Sequence, residues 1–388
     1  MIVRYEPWGA WVKLESTPAI VAIDRTRARS IGLDGGRRWT EAADRPSTPL
    51  EVHVAVTSRC GAGCKGCYLD AKPDGAEPPR ADLESVLDAL RDAGVFTVAF
   101  GGGEPTTRDD LGGLAEAARS RGITPVVTTS GLGLTDARVE GLRAFAQVNV
   151  SYDGDAATYE AVRGFDAARA AERAIATLAS AGVRVGVNVV LTRSSFPRVL
   201  ETLGRARSLG ACEGQLLRYK PAGRAATLDY LAQRLTAEQV RSFPAVLRQA
   251  SEALCADGGF HVRIDCALVP FLVTDASLID DPTRLARFGV FGCEAGAGLA
   301  AVDAQGDVAP CSFAPPTSLR GLDLASGYAG DAALAGWRSW SEAPPEPCAS
   351  CALRAVCKGG CKVVSRFLTG DHESDPECPR VIEARSRA

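Results

Sequence analysis

Between residues 50 and about 225 the chain alternates strand-like and helix-like patterns, and this regularity limits the folds open to it. Strands are expected at Glu51–Thr57, Phe96–Phe100, Thr124–Thr128, Gln147–Tyr152, Arg184–Leu191 and Gly214–Tyr219. Helices are expected between them at 80–93, 109–121, 135–145, 166–181 and 196–209. The first helix carries Leu83, Val86, Leu87 and Leu90, an i, i+3, i+4, i+7 stripe that needs an apolar surface to cover it. Gly94, Gly122, Gly182 and Gly210 follow four of the helices as stop signals. Parallel neighbours need a crossover, so this alternation predicts a parallel sheet with helices outside it. Six units suit a partial barrel better than a closed eight-fold one. Sites in barrels of this type lie where the strands end, on the C-terminal face.

The remainder divides around that core. Residues 1–47 hold the short extended patterns IVRYE, AWVKLES and AIVAID, then a short helix around Arg25–Ile31, which predicts a small hairpin or meander. This extension is a packing element or an edge on which a peptide docks by strand addition. Residues 48–258 comprise the barrel and a following helix, with Thr236 and Gln239 as its capping box. Residues 259–388 are rich in loops, Gly and Pro, and need metal staples to be stable. The expected fold class is therefore α/β, a partial (β/α)6 barrel with a small N-terminal β extension and a loop-rich C-terminal domain.

A net charge of −3 gives no reason to expect nucleic acid or an anionic membrane as partner. No apolar run is long enough to span a bilayer, and MIVRYEPWGAW lacks the layout of a secretory signal. The chain reads as cytoplasmic. In that compartment thirteen cysteines are metal ligands before they are disulfides. Three lie between positions 60 and 67 and seven between 293 and 378, which points to two metal-binding regions.

Cys60, Cys64 and Cys67 form a C-x3-C-x2-C array directly after the first barrel strand. Three thiolates on one loop can hold three irons of a cubane and leave the fourth open. A zinc site borrowing a distant ligand is the simpler alternative, but structural zinc draws on paired C-x2-C arms. The second strand ends in Phe100-Gly101-Gly102-Gly103-Glu104-Pro105, where glycines permit a close backbone approach and Glu104 can accept from an ammonium. The fourth ends in Val150-Ser151-Tyr152-Asp153-Gly154, Arg163-Gly164 follows, and the sixth leads into Tyr219-Lys220-Pro221-Ala222-Gly223-Arg224.

In this order the motifs resemble those of the radical S-adenosylmethionine enzymes. The resemblance implies that Gly102, Gly103 and Glu104 meet the methionine amino group, that Ser151 and Asp153 lie near the ribose, and that Arg163 pairs with the carboxylate. One position departs from the pattern. Gly66 stands where the family has an aromatic near the adenine, and Tyr68 comes one residue after Cys67.

The later cysteines read Cys293-x12-Gly306-x4-Cys311, then Cys348-x2-Cys351-x5-Cys357-x3-Cys361, then Cys378. A zinc ribbon accounts for part of this spacing; the full set is similar to the SPASM domain of certain radical enzymes. That likeness implies two auxiliary [4Fe–4S] clusters, three per chain in all. Cys348, Cys351, Cys357 and Cys378 would hold the distal one, and Cys293, Cys311 and Cys361 the proximal one. Cys266 is the favoured fourth proximal ligand, with Cys255, Cys212 or an open iron as alternatives.

The resemblance implies a peptide or protein maturase. It would cleave S-adenosylmethionine reductively and use the 5′-deoxyadenosyl radical to abstract hydrogen, giving an oxidative modification or crosslink. A flavodoxin or ferredoxin would supply electrons. A small-molecule dehydrogenase or bond-forming enzyme, and an iron–sulfur electron carrier without turnover, are the competing readings. Acid–base residues cannot be ranked from sequence; His53 reads as a core histidine, and His261 and His372 have no evident partners.

Overall fold

The computed structural model describes all residues except 15–18, 41–46, 228, 288, 341–342, 371–372 and 388. The end of the expected AWVKLES strand and His372 therefore lie outside the described residues. The extension begins with an antiparallel sheet of β1 (Ile2–Glu6), β2 (Gly9–Leu14) and β3 (Ala19–Asp24), in that order, followed by α1 (Arg25–Ser30). Trp39 is buried against this sheet and donates from Nε1 to the carbonyl of Gly9 at 2.8 Å. On the other side Arg4 reaches the carbonyls of Pro49 and Gly94 at 2.8 and 3.2 Å, tying the sheet to the barrel.

The barrel runs β4 (Glu51–Thr57), α2 (Arg80–Asp92), β5 (Thr97–Gly102), α3 (Leu111–Ser120), β6 (Thr124–Thr129) and α4 (Asp136–Leu142). It continues with β7 (Gln147–Ser151), α5 (Ala156–Arg163), α6 (Ala168–Ser180), β8 (Val185–Leu191), α7 (Val199–Ser208) and β9 (Glu213–Arg218). All six expected strands form, within two residues of the expected ends. Helix α5 was not expected; Asp155 starts it by accepting from Thr158 N, and Gly164 ends it in the left-handed region. The helices α8 (Asp229–Gln233) and α9 (Ala237–Leu254) follow, and Thr236 and Gln239 close the expected capping box.

The sheet is wider than the sequence indicates. Three strands from beyond residue 258 join it: β10 (His261–Ile264) beside β9, and β11 (Leu299–Val302) beside β4, with β12 (Val308–Ala309) outermost. Every pairing is parallel except β11 with β12. These strands are four residues or fewer, too short for alternation to show. The C-terminal region thus flanks the barrel on both edges.

Burial alternates along the strands. Val52, Val54, Val56, Val98, Phe100, Val148, Val150 and Val187 face the helices, where Leu83, Leu87, Leu90, Leu114 and Ile175 cover them. Each fully buried side chain of this size contributes roughly 1.5–3 kcal/mol. The opposite, inner face is polar and half-buried: Glu51 and His53 on β4, Thr128 on β6, Gln147 and Asn149 on β7, Gln215 on β9. A polar inner face beside an apolar outer one is the layout of a barrel that holds a substrate rather than a packed core.

Candidate active site

The C-terminal ends of β4 and β5 are joined backbone to backbone. Gly103 N donates to the carbonyl of Thr57 at 2.7 Å and Glu104 N to that of Arg59 at 2.9 Å. A Cβ at Gly102 would lie 2.0 Å from Thr57 O, and one at Gly103 would lie 2.1 Å from Arg59 O. The close approach that these glycines permit is thus to the base of the cysteine loop itself, which requires glycine at both positions. The loop is fixed further along by Cys60 N to Lys72 O at 2.8 Å, Lys65 N to Arg163 O at 2.9 Å and Arg224 N to Cys67 O at 2.9 Å. Arg224 also donates to Cys64 O and to the carboxylate of Asp70. The Pro221–Arg224 turn after β9 therefore clamps the loop.

Cys60, Cys64 and Cys67 are all half-buried. Burial pushes the Cys60 and Cys64 thiols up, and the guanidinium of Arg163 opposes this at Cys64. Arg163 also pairs with Asp153, which is fully buried and accepts from Val190 N at 2.7 Å. Asp153 and Arg163 thus work as one unit, with the cation turned toward the cysteine loop. Ser151 ends β7 on the inner face, beside Asn188 of β8. Asn188 Nδ2 donates to Thr128 Oγ1 at 3.3 Å, and its buried Oδ1 has no partner among the described residues. A buried amide oxygen left open in this way suits a ligand donor.

Glu104 is 6% exposed and accepts five hydrogen bonds: from the amide and hydroxyl of Thr106, the hydroxyl of Thr129, and the amide and hydroxyl of Ser130, at 2.5 to 3.1 Å. A carboxylate has about four lone-pair sites. An ammonium meeting it must share an oxygen or displace a hydroxyl, of which Ser130 Oγ is the most easily turned.

Gly66 has a structural reason. A Cβ there would lie 2.8 Å from the hydroxyl of Tyr219, whose ring stacks on Tyr230 at 5.9 Å. The aromatic absent from the loop is replaced in space by one from the end of β9.

The other cysteines gather as two foursomes. Cys266 and Cys311 each lie within electrostatic range of Cys293 and Cys361, and Cys361 within range of Cys293. Cys348, Cys351, Cys357 and Cys378 line one cavity with Pro270, Asp375 and Val381. Burial pushes Cys311 and Cys378 up to about 12 and Cys361 to about 11. Among the described residues no three His, Cys, Asp or Glu side chains converge on a single-ion position. Cys212 hydrogen-bonds the carbonyl of Val185 and Cys255 caps α9, so neither joins a foursome.

A fully buried ion-pair network connects these groups to the barrel. Arg218, from β9, donates to both oxygens of Asp375 at 2.6 and 3.0 Å and to Glu377 at 2.7 Å. Asp375 accepts in turn from Cys361 N at 2.9 Å, and Glu377 from Tyr230 Oη and Arg234.

Sequence reasoning missed one polar constellation. His53 lies between Glu51 Oε1, 2.9 Å from Nε2, and Ser312 Oγ, 2.7 Å from Nδ1. A carboxylate only accepts, so Nε2 carries a proton; Nδ1 accepts from the Ser312 hydroxyl in the neutral ring and donates to it in the imidazolium. The side chains of His53 and Glu51 keep 36% and 45% of their surface, so they line the lumen rather than the core. Burial works against the charge on Glu51, but His53 and Arg263 outweigh it and hold the carboxyl below its usual range. The clue to His53 was its alternation with Val52 and Val54; nothing in the sequence brings Ser312 to it.

Comparisons with known proteins agree with this geometry. The Radical SAM superfamily model matches residues 54–209. The mycofactocin maturase MftC of Mycolicibacterium smegmatis is 30% identical over 347 residues, covering 85% of this chain and 82% of the relative. The chain belongs to the radical SAM superfamily. Membership in this enzyme superfamily brings with it S-adenosylmethionine and a [4Fe–4S] cluster. The PqqA peptide cyclase of Gluconobacter oxydans is 29% identical, covering 86% of this chain and 91% of the relative. Among solved structures, Streptococcus suis SuiB bound to S-adenosylmethionine shares the fold, with a TM-score of 0.75, 18% identity and coverage of 97% and 98%. SuiB also has a structure with its precursor peptide SuiA. Among the described residues no helix is long and apolar enough to cross a membrane.

Proposed function

We infer that this enzyme is a peptide maturase that modifies a precursor peptide oxidatively, with three [4Fe–4S] clusters. The observation that carries the reading is the three-thiol loop hydrogen-bonded to the Gly102–Glu104 turn at the mouth of a polar lumen. Cys60, Cys64 and Cys67 would hold three irons of the cluster. Gly102, Gly103, Glu104 and Arg163 would receive the amino and carboxylate groups of S-adenosylmethionine, and Ser151 and Asp153 would border its ribose. When bound there, S-adenosylmethionine supplies a 5′-deoxyadenosyl radical.

The two foursomes fit auxiliary clusters by donor chemistry. Cys348, Cys351, Cys357 and Cys378 line one cavity, and among the described residues no three donor side chains converge on a single-ion position, as a tetrahedral zinc would need. Residues 259–388 then form the auxiliary-cluster domain, and Cys266 completes the proximal set. His53, backed by Glu51, is the lumen group placed to take up a proton. Peptide as substrate class is supported by the names of the PqqA peptide cyclase and of the SuiB–SuiA complex. In the extension, β3 is an edge strand with Ile20 and Val21 exposed, which suits strand addition by a leader segment. A flavodoxin or ferredoxin would deliver the electrons.

The test is anaerobic reconstitution, followed by dithionite, S-adenosylmethionine and synthetic peptides encoded beside the gene. The expected result is 5′-deoxyadenosine together with a peptide that has lost two hydrogens. Cleavage with every such peptide unchanged, and a small metabolite oxidised instead, would overturn the peptide reading.

A further inference from the structure

A buried ion pair stands between the cysteine loop and the first foursome. Lys220, two residues past β9, pairs its ammonium with Asp265, the residue before Cys266. The two side chains are 7% and 8% exposed. Asp265 is also held by the amides of Ala267 at 3.0 Å and Arg218 at 3.3 Å. The Lys220 ammonium lies 4.3 Å from the ring centre of Phe313, and that ring meets Tyr68 at 4.6 Å. Phe313 is two residues after Cys311 and Tyr68 is one after Cys67. The pair therefore sits beside a ring contact that links the two regions.

Stability does not account for burying these charges, since well-packed apolar groups in place of such a pair are often neutral or stabilising. Burial works against the charge on Lys220, but Asp265, Cys266 and Cys361 together outweigh it. The two charges approach the foursome at different members: Asp265 directly precedes Cys266, whereas the Lys220 ammonium lies over the ring of Phe313, two residues after Cys311.

We propose that the Lys220–Asp265 pair controls the reduction potential of the iron–sulfur core held by Cys266, Cys293, Cys311 and Cys361. Reduction adds one electron and one negative charge to such a core. In turnover that electron comes from the substrate radical, whose accompanying proton leaves to a lumen base; in the test it comes from dithionite. A fixed cation stabilises the added charge and a fixed anion opposes it, and at a buried site salt screens neither strongly. Lys220 therefore raises the potential and Asp265 lowers it. Both are positioning residues that act through the core, and the inference rests on the auxiliary-cluster reading above.

The experiment is a potentiometric titration of the reconstituted full-length protein, followed by electron paramagnetic resonance. Lys220→Gln should move one of the three midpoints to more negative potential, and Asp265→Asn should move the same midpoint to more positive potential. The other two should stay in place, and Lys220→Arg should remain near wild type. Opposite signs at one signal are not the result of a packing defect. If Lys220→Gln does not load iron, the positive shift in Asp265→Asn and the near-native value in Lys220→Arg carry the test. Shifts of equal sign, or none, in the loaded variants would overturn the proposal. Wild-type protein with iron for one core only would instead remove the auxiliary-cluster reading.

Discussion

The two cysteine regions are built on opposite plans. The loop at 60–67 offers three half-buried thiols and is fixed almost wholly by backbone hydrogen bonds, to Gly103, Glu104, Lys72 and Arg224. In the C-terminal foursomes Cys361 and Cys378 are buried, and charged side chains pack around them: Arg218 on Asp375 and Glu377, Lys220 on Asp265. A backbone-clamped loop keeps its side-chain surroundings free for a ligand. An ion-pair cage fixes the side chains around it. On the proposed function, the difference separates a site for chemistry from sites for electrons.

The most severe way to break the comparison is Cys64→Ala. It should abolish 5′-deoxyadenosine formation, read by chromatography after dithionite reduction, while iron analysis still finds the auxiliary complement. The cage should fail differently. Arg218→Met leaves the buried Asp375 without its cation and Glu377 with Arg234 alone, and should cost about 3–5 kcal/mol in urea unfolding of the reconstituted protein. In the loop region, Glu104→Gln sets an amide N–H₂ against some of the five donors and should cost about 1.5–3 kcal/mol in the same measurement. The smallest effect is the acid response of the cage. Burial opposes the charge on Glu377, but Arg218 outweighs it and holds the carboxyl below its usual value of 4.5. Its contribution to stability is therefore complete above the unfolded pKa and is lost as pH falls through the lower folded one. Urea midpoints between pH 6 and pH 3 should fall less steeply in Glu377→Gln than in wild type.

Much of the barrel was legible because its strands are five to seven residues long and its helices carry clear stripes, as Leu83 to Leu90 do. Cys266 stood out in the sequence only because it precedes Cys293, and its place in the proximal set remains part of the proposed function. The short β10, β11 and β12 gave no alternation to read, and their loss hid the way the C-terminal region flanks the barrel. With β11 unseen beside β4, Ser312 could not be brought to His53, nor Lys220 to Asp265 without β10 beside β9. Glycines at 102 and 103 were read as room for a ligand, whereas their Cα atoms lie against Thr57 and Arg59. Gly66 was an unexplained departure until Tyr219 was found in its place. Contacts between distant loops, not local pattern, set these details.

On the proposed function, the 60–67 loop alone keeps a coordination position for S-adenosylmethionine. Electron paramagnetic resonance of the dithionite-reduced protein, with and without S-adenosylmethionine, tests this. S-adenosylmethionine should change one signal, and Cys64→Ala should remove that same signal and leave the others unmoved. A signal that responds to S-adenosylmethionine and survives in Cys64→Ala would contradict it.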